Sequence, residues 1–87
     1  MAHYTPEKLL EMLNEVKSQI PMDSVWQHHK GGKYKIVGFD IDAETDNVRV
    51  HYSPTEGTEA LTFSHFASDF LSEVYVNGEP VKRFVKL

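Results

Sequence analysis

The sequence predicts a mainly β, α+β domain: an N-terminal amphipathic helix followed by a small, partly open antiparallel β-barrel of five or six strands. Three observations carry that reading. Residues 25–87 hold short β-favouring runs broken by turn residues, the pattern of a small all-β barrel. Two of the breaks, Lys30-Gly31-Gly32-Lys33 and Asn77-Gly78, are hairpin signatures. Ahead of them, Leu9, Leu13, Val16 and Ile20 recur at helical spacing.

The helix begins at Thr5-Pro6-Glu7. Thr accepts from the first free backbone donors, Pro at the first position loses nothing, and Glu suits the positive end of the helix dipole. Leu10 and Met12 widen the apolar stripe, and Pro21 ends the helix because the residue before a proline avoids the α region. A single small sheet needs a lid to build a core, so the stripe is expected to cover the chain's own sheet. Its alternative use is a partner surface formed by Leu9, Leu13, Val16 and Ile20. Residues 1–24 thus read as helix and linker, and 25–87 as the β portion of one compact domain.

Strands are expected over Val25–His29, Tyr34 to about Ile41, and Val48–Tyr52, where Val48, Val50 and Tyr52 share a face. The glycines of Lys30–Lys33 can take positive φ without strain. Asp42 to Asn47 reads as an exposed loop, as does Ser53 to Glu59. Ala60–Phe63 reads as a short strand, and Ser64 as the cap of a helical turn reaching Phe70. A further strand runs to Val76. Asn77-Gly78 turns the chain, and a last strand over Val81–Leu87 starts after Pro80, which cannot donate to a ladder.

Composition narrows the function classes. The 87 residues are 40% hydrophobic and 25% charged, ordinary for a globular domain and unlike a disordered one. With no cysteine, disulfides, thiolate metal sites and cysteine catalysis are excluded, and a cytoplasmic location is expected. No signal-like leader opens the chain and no apolar run is long enough to span a bilayer, so no membrane association is expected. The net charge of −4 disfavours nucleic acid, whose phosphates call for a basic balance. Lys30, Lys33 and Lys35, and again Lys82, Arg83 and Lys86, stand without an acid among them. A local basic patch forms if the two groups meet.

Five histidines invite a test for metal or proton chemistry. Neighbours His28 and His29 point to opposite faces of a strand, and no HxH or HExxH spacing occurs, so no metal site and no cofactor is expected. Ser64, His65 and Asp69 resemble a hydrolase set only superficially, since adjacent Ser64 cannot align with the His65 ring. Asp40, Asp42, Glu44 and Asp46 alternate, yet Thr45 and His51 stand where a calcium loop needs Gly and Glu. No residue is expected to be catalytic. The candidate ligand face is Trp26, His28, Lys30 and Tyr34, with Arg83, because aromatics beside cations can stack bases or hold an anion.

Taken together, Trp26-x-His28-x-Lys30-Gly31-x-x-Tyr34-x-x-x-Gly38 resembles the opening Y-x-H-x-K-G-x-x-Y-x-x-x-G of a small bacterial and phage domain family, DUF1653. Glu44-Thr45, Val50-x-Tyr52, Phe70-Leu71-x-x-Val74 and Asn77-Gly78-x-x-Val81-x-Arg83-Phe84 continue the resemblance across about Val25 to Phe84. It implies a compact SH3-like β-barrel and brings no reaction with it. The chain departs from the family at Ile41-Asp42, Tyr52-Ser53 and His65, where relatives often carry basic residues. The expected function is a non-enzymatic binding module, monomeric or homodimeric, whose partner is a protein in a bacterial or phage setting. The alternative is a small-molecule or nucleic-acid binder using the Trp26/His28/Lys30/Tyr34 face. A third, lesser reading is a metal-dependent or histidine-based hydrolase.

Overall fold

In a computed structural model describing residues 3–57 and 61–87, the chain forms helix α1 (Pro6–Gln19) and seven strands with a short helix among them. The strands are β1 (Val25–His28), β2 (Lys33–Ile41), β3 (Val48–Pro54), β4 (Phe63–Phe66), β5 (Glu73–Val76), β6 (Glu79–Lys82) and β7 (Phe84–Lys86), with α2 (Ala67–Phe70) between β4 and β5. The molecule is mainly β. A five-stranded antiparallel sheet has the order β4-β3-β2-β1-β7, and β5-β6 forms a separate two-stranded sheet.

Helix α1 starts as its residues dictate, with the Thr5 hydroxyl accepting from the Lys8 amide and Pro6 in the first turn. Ile20 has left helical geometry (φ −125°, ψ 80°), as the proline after it requires. Met12, Leu13 and Val16 pack against the core, and Ile20 is fully enclosed in it. The linker is tied to β2: the Asp23 amide donates to the Ile36 carbonyl, and the Ile36 amide to the Ser24 carbonyl.

The core lies on one face of the large sheet. Ile36, Val48, Val50 and Tyr52 are buried there with Trp26 and Phe84, following the two-residue alternation of their strands. A bulge between Ile36 and Gly38 shifts the β2–β3 register. It lets Ile36 and Phe39 face the same side, and Phe39 packs on the core. Phe70 of α2 is fully buried and plugs the middle of this face.

The sheet is curled but not closed. In a flat sheet β4 and β7 would stand about 19 Å apart, four strand spacings. Yet the His65 ring of β4 lies 6.2 Å from the Phe84 ring of β7, so the edges bend toward each other. No ladder joins them, so where a partly open barrel was expected the five-stranded sheet is not closed into a barrel, and β5-β6 forms a sheet of its own.

Five other expectations change. Ser64 and His65 belong to strand β4, and α2 begins at Ala67 with no side-chain cap. Pairing with β3 captures this segment, and Ser64 instead accepts from Arg49 Nη1. The strand expected to begin at Ala60 starts at Phe63, and Thr58, Glu59 and Ala60 lie outside the described residues. Strand β3 continues through Ser53-Pro54 because it still faces Lys35 and Tyr34. Pro80 lies inside β6, opposite Tyr75. Next to the two-residue turn that position is a non-hydrogen-bonded pair, so the missing N–H costs no ladder bond. Asn77 (φ 51°) and Gly78 (φ 80°) make that turn in the left-handed region. The chain then bends at Arg83, so the last expected strand becomes two, β6 and β7, serving different sheets.

Candidate functional site

The open end of the curled face is built from aromatic rings. Trp26 and His28 alternate onto it from β1, Tyr34 from β2, Tyr52 from β3, Phe63 and His65 from β4, and Phe84 from β7. Phe84 is the hub. Its ring stacks on Phe70 at 4.1 Å and meets the edges of His28 at 5.0 Å and Tyr52 at 5.3 Å. Tyr52 in turn stacks on His65 at 5.9 Å and on Phe63 at 5.9 Å, and meets Tyr34 edge-on at 5.3 Å. Offset and edge-to-face pairs of this kind each contribute about 0.5–1.5 kcal/mol beyond their buried area. Phe63 stays 43% exposed, so the cluster grades from closed core at Phe70 to solvent at β4.

The electrostatics of this end are those of cations beside apolar rings. His28 is held below the usual imidazole range, first by burial and then by the positive charges of His29, Lys30, Arg83 and His65. His65 is lowered by burial and by Arg83 and Arg49, against a smaller opposing pull from Asp69. Burial raises the Tyr52 phenol, with Tyr34 adding to the effect and Arg83 opposing it. Both imidazoles are thus mainly neutral at pH 7.

Arg83 is positioned by its neighbours. Its Nε donates to the Asp69 carbonyl at 3.0 Å, its amide donates to the Ser72 carbonyl, and its own carbonyl accepts from the His29 amide. Tertiary hydrogen bonds therefore lock the bend between β6 and β7 to the end of α2 and to the β1–β2 turn. The turn closes on itself: the His28 amide donates to the Gly32 carbonyl, and the Lys30 amide to His28 Nδ1 at 3.1 Å. Of the turn's two glycines, Gly31 takes positive φ, at 108°.

The residues expected to form a ligand face are thus separated by depth. Trp26 is buried, its indole N–H donated to the Ser24 hydroxyl at 2.9 Å and its ring set edge-on to Phe70. Lys30 is exposed in the turn, beyond the end of β1, and shares no strand face with His28. Tyr34 is half-buried against Tyr52. Its other side borders a shallow depression of about 330 Å³ lined by Gly31, Gly32, Lys33, Pro54, Thr55 and Glu56. The His28 ring meets that of Phe84 at 5.0 Å, and the carbonyl of Arg83, the residue before Phe84, accepts from the His29 amide. Along α1, Leu9 is half-buried, Leu13 and Val16 lie against the core, and Ile20 is enclosed.

Sequence reasoning missed Tyr52, Phe63, His65 and Phe84 as site residues. Tyr52 was legible as an inward residue of an alternating strand. His65 was hidden by the helical reading of Ser64–Phe70; placed on a strand, Phe63 and His65 fall on the face of Tyr52 at once. The Ser64/His65/Asp69 set is split, because Ser64 faces Arg49 on the other side of the sheet. Asp46, expected in solvent, is buried at positive φ. It accepts from the Tyr4 amide at 2.8 Å and contacts His3, pinning the N-terminal segment over the loop. Those bonds hold its carboxyl below the usual range. Among the described residues no three of His, Asp and Glu cluster as metal ligands, and no helix is long and apolar enough to cross a membrane.

Comparison with known proteins bears on the fold and the family. A crystal structure of a DUF1653 protein from Bordetella bronchiseptica superposes with a TM-score of 0.64 at 26% identity, over 79% of this chain and 90% of that one. No curated protein matches the chain. The profile of DUF1653, a protein family of unknown function, matches residues 24–86, a span that takes in every ring of the aromatic end, and the chain belongs to that family.

Proposed function

We propose that this chain is a non-enzymatic binding module that engages a protein partner through the aromatic end of its sheet. One observation carries the reading: the Tyr52 cluster runs out to solvent at Phe63, which is 43% exposed, and Leu61, two residues before it, is 50% exposed. An aromatic ring left exposed at the rim of such a cluster suits an interaction surface, and aromatic anchors dominate binding energy. The patch lies along β4, an edge strand of the sheet. An extended peptide can therefore pair its backbone with β4 while seating side chains against Phe63 and Tyr34. The curled five-stranded sheet supports an SH3-like classification. The Bordetella relative and the absence of cysteine support a bacterial or phage protein of the cytoplasm.

The test compares affinity capture by the parent chain, Phe63→Ser and Tyr75→Ser, with bound proteins identified by mass spectrometry. Tyr75 is a matched control, an aromatic 76% exposed on the separate β5–β6 hairpin. A partner retained by Tyr75→Ser and lost by Phe63→Ser supports the proposal. Equal capture by all three chains overturns it, as does loss in Tyr75→Ser alone.

A further inference from the structure

We infer that His28, His29, Lys30, His65 and Arg83 form a site for a phosphate-class dianion around Phe84, where the curl of the sheet brings β4 toward the β1 and β7 edge. Two strands, β1 and β4, and two bends, the β1–β2 turn and the break between β6 and β7, deliver these groups. The His28 and His29 rings lie 4.3 Å apart, and His28 and His65 flank the Phe84 ring at 5.0 and 6.2 Å. The Lys30 amide is tied to His28 Nδ1, and the Arg83 carbonyl receives the His29 amide at 2.9 Å. The backbone thus presents five cationic or protonatable side chains in one place.

That concentration runs against the composition of a chain with net charge −4. Among the described residues neither Lys30 nor Arg83 enters an ion pair, although five such pairs occur elsewhere. Arg83 uses Nε to hold the Asp69 carbonyl and Ser72 hydroxyl. This fixes the guanidinium, and among the described residues neither Nη group has a hydrogen-bond partner, which suits a bidentate contact with an oxyanion. Lys30 and Arg83 disfavour the protonated form of the imidazoles beside them, and a bound anion would offset that. The groups facing the imidazoles are His28 and His29 with Lys30 from the β1 end, Arg83 from the β6–β7 bend, His65 from β4 and Asp69 from α2. Asp69 is the one carboxylate among them, and it acts on His65. The Tyr34 and Tyr52 phenols border the set from β2 and β3.

This inference rests on other groups than the protein-partner reading: the anion site uses the imidazoles, Lys30 and Arg83 and touches β4 only at His65, whereas the proposed partner surface is centred on Phe63. Sulfate is the first probe, because it remains a dianion across the range and any pH dependence belongs to the protein. Imidazole resonances of His28, His29 and His65 are followed by NMR during sulfate titration at pH ~6 and ~8, with chloride holding ionic strength constant. Saturable shifts of His28 and His65 are expected, with affinity about tenfold higher at the lower pH, equivalent to raising one imidazole pKa by about one unit. Lys30→Ala, in an exposed turn, should weaken binding by about two- to fivefold without altering the fold. Arg83→Lys should weaken it further by removing the fork.

Inorganic phosphate and adenosine monophosphate, both at pH ~8, then identify the source of the group. Tighter binding of the nucleotide assigns the phosphoryl group to a ligand with an aromatic ring. Equal binding assigns the site to free anion, and either outcome upholds the site. Shifts that fail to saturate, or that are unchanged in Lys30→Ala and Arg83→Lys, overturn the inference. Loss of capture in Phe63→Ser bears on the partner surface and leaves sulfate binding unaffected.

Discussion

Replacing Phe70 by alanine tests what holds the aromatic end together. The side chain is fully buried, stacks on Phe84 at 4.1 Å, and meets Trp26 at 5.1 Å and Tyr52 at 5.6 Å. Truncating a buried Phe costs about 3–5 kcal/mol in lost transfer energy and residual cavity. A domain of this size has about 4–13 kcal/mol in all, at about 0.05–0.15 kcal/mol per residue. The loss also spreads. Helix α2 has four residues, too few to persist without an anchor, and Phe70 is that anchor. Its release removes the Asp69 carbonyl that holds Arg83 Nε. With a urea dependence of about 1 kcal/mol per molar, the unfolding midpoint should fall by roughly 3–5 M, or the variant should be unfolded in buffer. Phe70→Leu, which restores most of the volume, should cost roughly 1–2 kcal/mol and remain folded. The assay is equilibrium urea unfolding followed by Trp26 fluorescence and circular dichroism. Tyr75→Ala serves as the exposed control and should stay within about 0.5 kcal/mol of the parent. A Phe70→Ala loss below about 1.5 kcal/mol would refute the claim that this ring locks α2 to the sheet.

Two further outcomes follow from single contacts. Ser24→Ala leaves the buried Trp26 indole N–H without its acceptor and should cost about 1–3 kcal/mol in the same assay; a neutral result would show that the bond is replaceable. The imidazoles give a pH signature. His28 and His65 are both lowered from 6.5, so as pH falls the unfolded chain takes up protons first. Their contribution to stability is therefore complete above about 6.5 and is lost as the pH drops through the folded values. The double variant His28→Gln/His65→Gln should flatten that slope in urea midpoints measured between pH ~5 and ~7, and an undiminished slope would exclude these two groups as its source.

Much of the fold was legible because its signals are local. The cap at Thr5, the stop at Pro21 and the turn at Asn77-Gly78 each follow from the conformations that a few adjacent residues can adopt. The inward face of Val48, Val50 and Tyr52 follows from alternation alone. The candidate site was legible only in pieces. His28, Tyr34 and Arg83 were singled out, but the rings that connect them were not. His65 illustrates why: an isolated Ser-His-Phe stretch beside a helical turn carries a helix start as well as a strand, and pairing with β3 decides between them.

By itself, then, the sequence determined which segments would be helix, strand and turn over most of the chain, and to which family it belongs. Tertiary structure alone decided how the strands are ordered, that the sheet curls without closing, and that Arg83 divides the last strand between two sheets. It also buried Asp46 and Trp26 and brought Phe84 against Tyr52, 32 positions away. The physical reason is one of range. Backbone sterics and side-chain alternation act over a few residues, whereas curvature and register are set by contacts between segments whose pairing no local pattern specifies.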